Sequence, residues 1–336
     1  MKSQRFLVLD GMRGIAAFAV LWLHAGLGFA SPFYPRHGYL AVDFFFALSG
    51  FVVAHAYEAR IAAGLSFTGF AGIRLIRLYP MIFAGAVLGA LAFNPGWSGT
   101  NITLAWLDAS IFLVLPFGLL FHLSAFPVNS PVWSLFFEFC ANAVYFFTAR
   151  RPGRDAARTV ILIAASAVVL AAVAHLVGGL SAVGFSSVAS FLAGFPRVAV
   201  SFAIGVLIFR YRLHEHLPRV ADFFPALALA ALLAVPDCGW WYDMLCVLVA
   251  FPLLLCLGAR ATETPRLHRF WYWCGALSYP VYVIHEPVLR AVFRLHGGGV
   301  AAVALAVLSA WALLLCYDEP LRRRLGRSAA PAPSQG

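Results

Sequence analysis

Two ionisable residues lie inside the first apolar stretch of the chain, Leu7–Ala30. About three helical turns separate Arg13 from His24, which places both side chains on one helix face, roughly 16 Å apart along the axis. Ionisable groups within a membrane helix are costly and indicate a polar cavity. There, an arginine binds anions and a histidine exchanges protons near neutral pH. The alternative is an arginine that reaches the lipid headgroups and a histidine bonded to a neighbouring helix.

A second basic pattern follows in the sequence Arg74-Leu-Ile-Arg77-Leu-Tyr79-Pro. Arginines three positions apart share a helix face, and guanidinium groups bind phosphate oxygens through two parallel hydrogen bonds. The pattern therefore predicts an anion site at the inner end of the third span. Arginines that only anchor the cytoplasmic end of a span would give the same pattern.

Two carboxylates lie within predicted spans. Asp43 is a candidate counter-charge for an arginine on the outer side, and Glu138 requires a partner or a cavity. Ser49 and Gly50 are small residues that allow membrane helices to approach closely. Trp133 is interpreted as a residue of the aromatic belt at the membrane surface.

His285 is the second candidate base, with Glu286 beside it in the sequence. Pro280 and Pro287 predict a kink or break in this span. Carbonyl groups freed by the prolines favour a polar pocket near His285. A purely structural kink is the alternative.

The composition is that of an all-α polytopic membrane protein. Of the 336 residues, 62% are hydrophobic and 11% are charged, whereas soluble domains are about 25% charged. The net charge of +10 is attributed to arginines in loops, which set membrane topology, rather than to nucleic-acid binding. The six cysteines lie mostly in apolar runs, so we expect neither a disulfide framework nor a metal site.

The positions of the arginines predict about ten spans with both termini cytoplasmic. Only Arg36, Arg197, Arg290 and Arg294 of the 24 Lys and Arg residues then lie outside the cytoplasmic ends. The predicted spans are 7–30, 39–57, 78–93, 133–149, 159–175, 190–209, 223–235, 241–257, 270–293 and 300–316. We expect residues 1–327 to form a single membrane domain and residues 328–336 a short disordered tail.

The apolar stretch Leu104–Leu123 is not counted as a span. If it crossed the bilayer, the arginine cluster at 150–158 would lie outside, against the positive-inside rule. Pro116 and Gly118 in its middle also disfavour a straight helix. We predict a re-entrant or in-plane hairpin, with residues 94–132 outside and residues 150–158 inside.

Taken in order, these motifs resemble the acyltransferase-3 family of integral membrane acyltransferases, typified by bacterial O-acetyltransferases. The match is carried by the DGMRG start with Arg13 and His24, and by GYLAVDFFFALSGF, RLIRLYP, PVWSLFFE, LSYPVYVIHEP and the closing EPLRR. These motifs extend over residues 9–324. Ile73 departs from the family, which often has a further arginine at that place.

The resemblance implies transfer of an acyl group, commonly acetyl, from acyl-CoA to a hydroxyl of a glycan or lipid-linked sugar. It implies catalytic roles for His24, Arg13, Glu138 and His285, and donor-binding roles for Arg74, Arg77 and Tyr79. Supporting roles are expected for further motif residues: Asp10, Asp43, Ser49, Gly50, Trp133, Ser134, Ser278, Tyr279, Tyr282 and Glu319. Acetyl-CoA would be a co-substrate, with no bound cofactor, no metal and no nucleic-acid partner.

Two other functions are compatible with the motifs taken singly. A transporter or flippase of a glycan or lipid precursor also needs buried charge and broken helices, although no internal repeat is evident in the sequence. A non-catalytic membrane scaffold would leave the buried ionisable residues without a use. For the acyltransferase, the implied location is the bacterial cytoplasmic membrane, in contact with its lipids.

Overall fold

The structure, a computed structural model, describes residues 6–92, 116, 118–119, 124–150 and 156–328. Helices account for most of this part of the chain, and it contains no β-strand beyond one isolated bridge, Ala221–Thr262. The helices are α1 (Leu7–Gly28), α2 (Ala41–Ala62), α3 (Phe67–Leu91), α4 (Val132–Ala149), α5 (Ala156–Val177), α6 (Val188–Arg210), α7 (Phe223–Ala234), α8 (Trp240–Arg260), α9 (His268–Arg294), α10 (Gly299–Leu313) and α11 (Glu319–Ser328).

Eight helical stretches in the described residues are long and apolar enough to cross a bilayer. α7 has only 12 residues, as the sequence predicted, and α9 is long but carries more polar side chains. A π turn, Leu314–Asp318, joins α10 to α11 without a break. The protein is therefore an all-α polytopic membrane protein, as predicted.

Side-chain contacts fix the relative directions of the helices. Arg13 contacts Ser278 and His24 contacts His285, so α1 and α9 are parallel. Successive contacts along each helix pair likewise show that α3 is parallel to α9 and that α2 is parallel to α4 and α6. They also show that α1 is antiparallel to α2. These directions agree with the predicted topology.

The end of α3 and the start of α4 consequently lie on the same side of the bundle, as a non-crossing Leu104–Leu123 requires. Apart from Pro116, Gly118 and Leu119, that predicted hairpin lies outside the described residues.

Glycines set the closest helix contacts. A Cβ added at Gly14 would lie 2.3 Å from the Cys274 carbonyl oxygen, and one at Gly50 would lie 2.0 Å from that of Phe202. Only glycine permits these approaches of α1 to α9 and of α2 to α6, which is the role predicted for Gly50. The α1–α9 contact carries the residues of the candidate site.

The predicted start of the third span was wrong. α3 begins at Phe67 rather than Leu78, so Arg74 and Arg77 lie inside the helix. The span was predicted from an uninterrupted run of apolar residues, which leaves out arginines. A membrane helix can nevertheless contain arginines where it borders a polar cavity. Of the kink or break predicted at Pro280 and Pro287, the break is absent, because α9 is continuous through both residues. Because Pro287 has no N–H, the Val283 carbonyl lacks its helical donor, and Asn129 Nδ2 donates to it at 2.8 Å.

The connection between α6 and α7 is fixed to α9 through Asp222, a fully buried carboxylate. The Thr264 backbone amide and hydroxyl donate to it at 2.9 Å each, and the Trp271 indole donates at 2.7 Å. Burial alone would raise the pKa of Asp222, but these donors outweigh it and hold the pKa below its usual value. The cluster stabilises the ionised form and ties three segments together.

Candidate active site

Arg13 is held in place by two contacts with α9 and one within α1. Its Nε donates to Ser278 Oγ at 2.9 Å and its Nη2 donates to the Gly275 carbonyl at 3.2 Å. The Asp10 carboxylate lies 3.3 Å from the same Nη2. Arg13 and His24 both face α9, as their spacing predicted, and Arg13 does not extend freely to headgroups.

Glu138 has the partner that its depth in the membrane required. Arg74 Nη2 lies 2.5 Å from Glu138 Oε1, and Ser49 Oγ donates to the same oxygen at 2.7 Å. Arg74 is 5% exposed and Glu138 is 17% exposed. A buried ion pair needs such additional hydrogen bonds to offset desolvation.

These two groups border a cavity of about 290 Å³, here called the inner cavity after the side on which the topology places it. Its basic lining is Arg13, Arg74, Arg77 and Arg322. Glu138, predicted to be catalytic, lines it as well. So do most of the predicted support residues: Ser49, Ser134, Ser278, Tyr279, Tyr282 and Glu319. Tyr279 donates to the Leu78 carbonyl at 2.5 Å. The fold thus brings together four arginines from three helices, α1, α3 and α11.

Tyr79 does not line the inner cavity, although the RLIRLYP motif suggested a role in donor binding. Its side chain is 41% exposed and its ring stacks on Phe83. Residues two positions apart on a helix point in different directions, so Tyr79 diverges from Arg77. A direct donor contact by Tyr79 is not supported by this placement.

His24 and His285 form a pair on the other side of the bundle. His285 Nδ1 lies 2.8 Å from the Tyr282 carbonyl and 3.1 Å from that of Val281. Carbonyls only accept, so Nδ1 carries the proton and Nε2 of the neutral ring is an acceptor. The two candidate bases are therefore parts of one unit rather than competitors.

The same reasoning assigns the tautomer of His24. Its Nδ1 lies 3.1 Å from His285 Nε2 and 3.0 Å from the Val20 carbonyl, both acceptors. Nδ1 of His24 must donate, which leaves Nε2 as its basic atom. Nε2 makes no hydrogen bond to any residue that the structure describes, and the His24 side chain lines a second cavity.

This second cavity, the outer cavity, measures about 1290 Å³. Tyr282 is the one described residue that lines both cavities. Its hydroxyl lies 2.7 Å from Ser134 Oγ and donates to the Pro131 carbonyl at 3.0 Å. Tyr282 and Ser134 thus separate the four arginines of the inner cavity from His24 in the outer cavity.

Asp43 pairs with an arginine of the outer side, as predicted. Arg197 donates to its carboxylate at 2.7 and 3.0 Å, with both side chains almost fully buried. Arg197 also donates to the carbonyls of Leu180 and Val183, at 2.8 and 2.7 Å. The pair fixes the 178–187 segment that borders the outer cavity.

The aromatic-belt interpretation of Trp133 was wrong. Trp133 is 6% exposed, stacks on Phe185, and lies 5.3 Å from the guanidinium carbon of Arg197. It lines the outer cavity instead of the lipid interface. Hydropathy places a tryptophan near a membrane surface but does not tell which neighbour covers its ring.

Sequence reasoning missed two features of the site. Glu286 is a carboxylate whose charge acts on His24, and it pairs with Arg290 four positions later. Arg322 was interpreted only as a topological charge. The EPLRR motif could have indicated that Arg322 belongs to the site. The sequence does not show, however, that the helix carrying this motif borders the inner cavity. Within the described residues no group of three or more His, Cys, Asp or Glu is arranged to hold a metal ion.

Comparisons with known proteins agree with the motif order. A family model described as an acyltransferase domain matches residues 6–318. A relative named Protein 2 in picA locus, from Rhizobium radiobacter, is 39% identical over 188 residues, which cover 50% of this chain and 93% of that protein. No solved structure matches the chain.

Proposed function

The chain belongs to the acyltransferase-3 family and is an integral membrane acyltransferase, and from that premise we propose that it carries an acyl group between its two cavities. The donor is acyl-CoA, commonly acetyl-CoA, in the inner cavity. The acceptor is a hydroxyl of a glycan or lipid-linked sugar in the outer cavity. The observation that carries this proposal is the partition: four arginines line the inner cavity, His24 lines the outer cavity, and Tyr282 lines both.

The inner cavity suits the phosphates of CoA. Three of its arginines already have carboxylate partners: Arg13 with Asp10, Arg74 with Glu138, and Arg322 with Asp318. Arg77 makes no ion pair with any described residue, so its guanidinium is available to a ligand. Arginine binds phosphate through paired hydrogen bonds and stays charged.

Chemistry begins when the acceptor hydroxyl lies beside His24. The hydroxyl proton passes to His24 Nε2 as the oxygen forms a bond to the thioester carbon. The bond from that carbon to sulfur then breaks, the CoA thiolate takes up the proton that His24 had accepted, and CoA leaves through the inner cavity. His285 accepts the hydrogen bond from His24 Nδ1 and thereby keeps Nε2 basic.

The outer cavity suits a bulky acceptor. Its volume of about 1290 Å³ exceeds the roughly 300–1,000 Å³ typical of small-molecule sites. Aromatic side chains on its wall, among them Trp22, Tyr39 and Trp133, offer apolar faces with polar edges. Such surfaces fit the CH faces and hydroxyls of sugar rings.

A cytoplasmic acyl-CoA donor places the enzyme in the bacterial cytoplasmic membrane, with the inner cavity facing the cytoplasm. The positive-inside distribution of arginines supports the same orientation. The relative in Rhizobium radiobacter supports a bacterial setting for the reaction.

Turnover by purified protein tests the proposal. Protein in lipid nanodiscs is given acetyl-CoA with membranes or glycans of the host, and free CoA and acyl-glycan mass are measured. Loss of an acyl mass from surface glycans when the gene is deleted identifies the acceptor. A protein that transports a glycan precursor but never cleaves the thioester would contradict the proposal.

A further inference from the structure

The C-terminal helix α11 borders the inner cavity, although the sequence suggested only a topological role for its arginines. Asp318, Glu319 and Arg322 line the cavity beside Arg74 and the other arginines. Arg322 lies beyond residue 318, where the match to the family model ends. Its position therefore adds a residue to the site that the family match does not include.

Arg322 is fixed in place by a buried carboxylate. Its Nη2 lies 2.6 Å from Asp318 Oδ2, and the Asp318 side chain is fully buried. Asp318 is the last residue of the π turn that joins α10 to α11, and such turns recur at functional sites. A guanidinium has five N–H donors, so one carboxylate contact leaves others available to a second anion.

The neighbouring Arg323 has no buried carboxylate partner among the described residues and differs from Arg322 in exposure and position. It is 75% exposed, pairs with Glu319 at 2.8 Å and does not line the cavity. Arg322 is 32% exposed, and Arg74, deeper in the cavity, is 5% exposed. The cavity therefore has an open end at Arg322 and a closed end at Tyr282.

We propose that Arg322 binds a phosphate at the nucleotide end of the acyl-CoA donor. This inference rests on the proposed function, in which the thioester must reach Tyr282 to meet the acceptor. With the thioester at the closed end, the nucleotide occupies the open end, where Arg322 presents its remaining donors. Arg322 is thus a donor-binding residue supplied by the C-terminal helix.

The test is titration of the full-length protein, in detergent, with CoA and with dephospho-CoA, which lacks the 3′-phosphate. Arg322→Ala should weaken CoA binding roughly tenfold. Arg323→Ala, the adjacent arginine on the same helix, should bind as wild type. A smaller loss with dephospho-CoA assigns the contact to the 3′-phosphate, and an equal loss assigns it to the pyrophosphate; both support the proposal.

Removal of Arg322 alone leaves the Asp318 carboxylate buried without its cation, which can unfold the protein. The double variant Asp318→Asn/Arg322→Gln removes both charges and keeps both side-chain volumes. If this folded variant binds CoA as wild type does, or if Arg323→Ala weakens binding as much as Arg322→Ala, the proposal is wrong. Loss of binding in Arg77→Ala but not in the Arg322 variants overturns this inference alone, whereas wild-type protein that binds no CoA overturns the proposed function.

Discussion

The inner and outer cavities differ in size and in how their charges are arranged. The inner cavity, about 290 Å³, is lined by four arginines. The outer cavity is more than four times larger, at about 1290 Å³. Of its two lining arginines, Arg197 is neutralised by Asp43, and Arg36 hydrogen-bonds the Tyr34 hydroxyl.

Under the proposed function, this difference assigns donor recognition to the inner cavity and catalysis to the outer one. Fixed guanidinium groups in a narrow space suit one anionic ligand of constant structure. A wide cavity with aromatic walls and a histidine base suits acceptors that vary. Because Tyr282 alone among the described residues lines both cavities, a variant of each region should affect one function and leave the other intact.

The largest effect is expected for His24→Ala. General-base catalysis contributes about 10²–10⁴-fold, so transfer should fall at least about a hundredfold. CoA affinity should not change, because the arginines occupy the other cavity. Stopped assays of acyl transfer, with CoA binding measured in parallel, check both parts.

His175→Ala, at an exposed histidine of α5, is the matched control and should transfer normally. His285→Ala should lower the rate less than His24→Ala, since it removes the positioning bond and not the base. Near-wild-type transfer by His24→Ala with loss in His285→Ala would reverse the two roles. If both variants retain transfer, the enzyme hypothesis fails.

Arg77→Ala should weaken CoA binding without a loss of folding. One charge-assisted contact is worth around 1.5–3 kcal/mol, which corresponds to roughly ten- to a hundredfold in Kd. Arg74→Ala should weaken CoA binding similarly. Arg74→Lys should have an intermediate affinity, because lysine keeps the positive charge but cannot form the paired hydrogen bonds of a guanidinium group. Calorimetry in detergent measures the affinities.

Arg212→Ala, at a 73% exposed arginine, controls for net charge and should bind CoA as wild type does. Unchanged affinity in folded Arg74 and Arg77 variants would show that the inner arginines serve topology only, which was the alternative that the sequence left open.

Truncation of the Tyr282 side chain should connect the inner and outer cavities. In Tyr282→Ala, water from the outer cavity reaches the thioester, and release of CoA without acceptor should rise severalfold. Tyr282→Phe keeps the ring and should not increase this hydrolysis. A thiol-reactive dye follows CoA release, and equal hydrolysis in the two variants would show that Tyr282 does not separate donor from solvent.

The smallest effect concerns Asp222, which lies in neither cavity lining and serves as a reference for purely structural damage. Asp222→Asn should cost about 1–3 kcal/mol of stability at neutral pH, with the CoA affinity of the folded protein unchanged. Because the pKa of Asp222 is lowered on folding, its stabilisation is present above about pH 4 and is lost as the pH falls further. The difference in Tm between wild type and variant should therefore shrink in acid; a constant difference would contradict the assignment.

Several features of the site were predictable because they depend on local sequence. The shared face of Arg13 and His24 follows from helical period, and the need for a partner at Glu138 and Asp43 follows from the cost of buried charge. The start of α3 and the surroundings of Trp133 were not predictable in this way. Hydropathy averages a segment over its whole circumference, whereas a polar cavity touches only one side of a helix.

The sequence by itself determined the membrane class, the order and relative directions of the spans, and the family motifs. Apolar length, arginine placement and motif order are properties of a linear chain. Only the tertiary structure decided that Arg13 and His24 line different cavities and that Arg322 lines the same cavity as Arg77. It also decided that His24 and His285 form one hydrogen-bonded pair. Those contacts join residues as far apart as 261 positions. They depend on how each helix is rotated and packed, which interactions between helices set and no local pattern encodes.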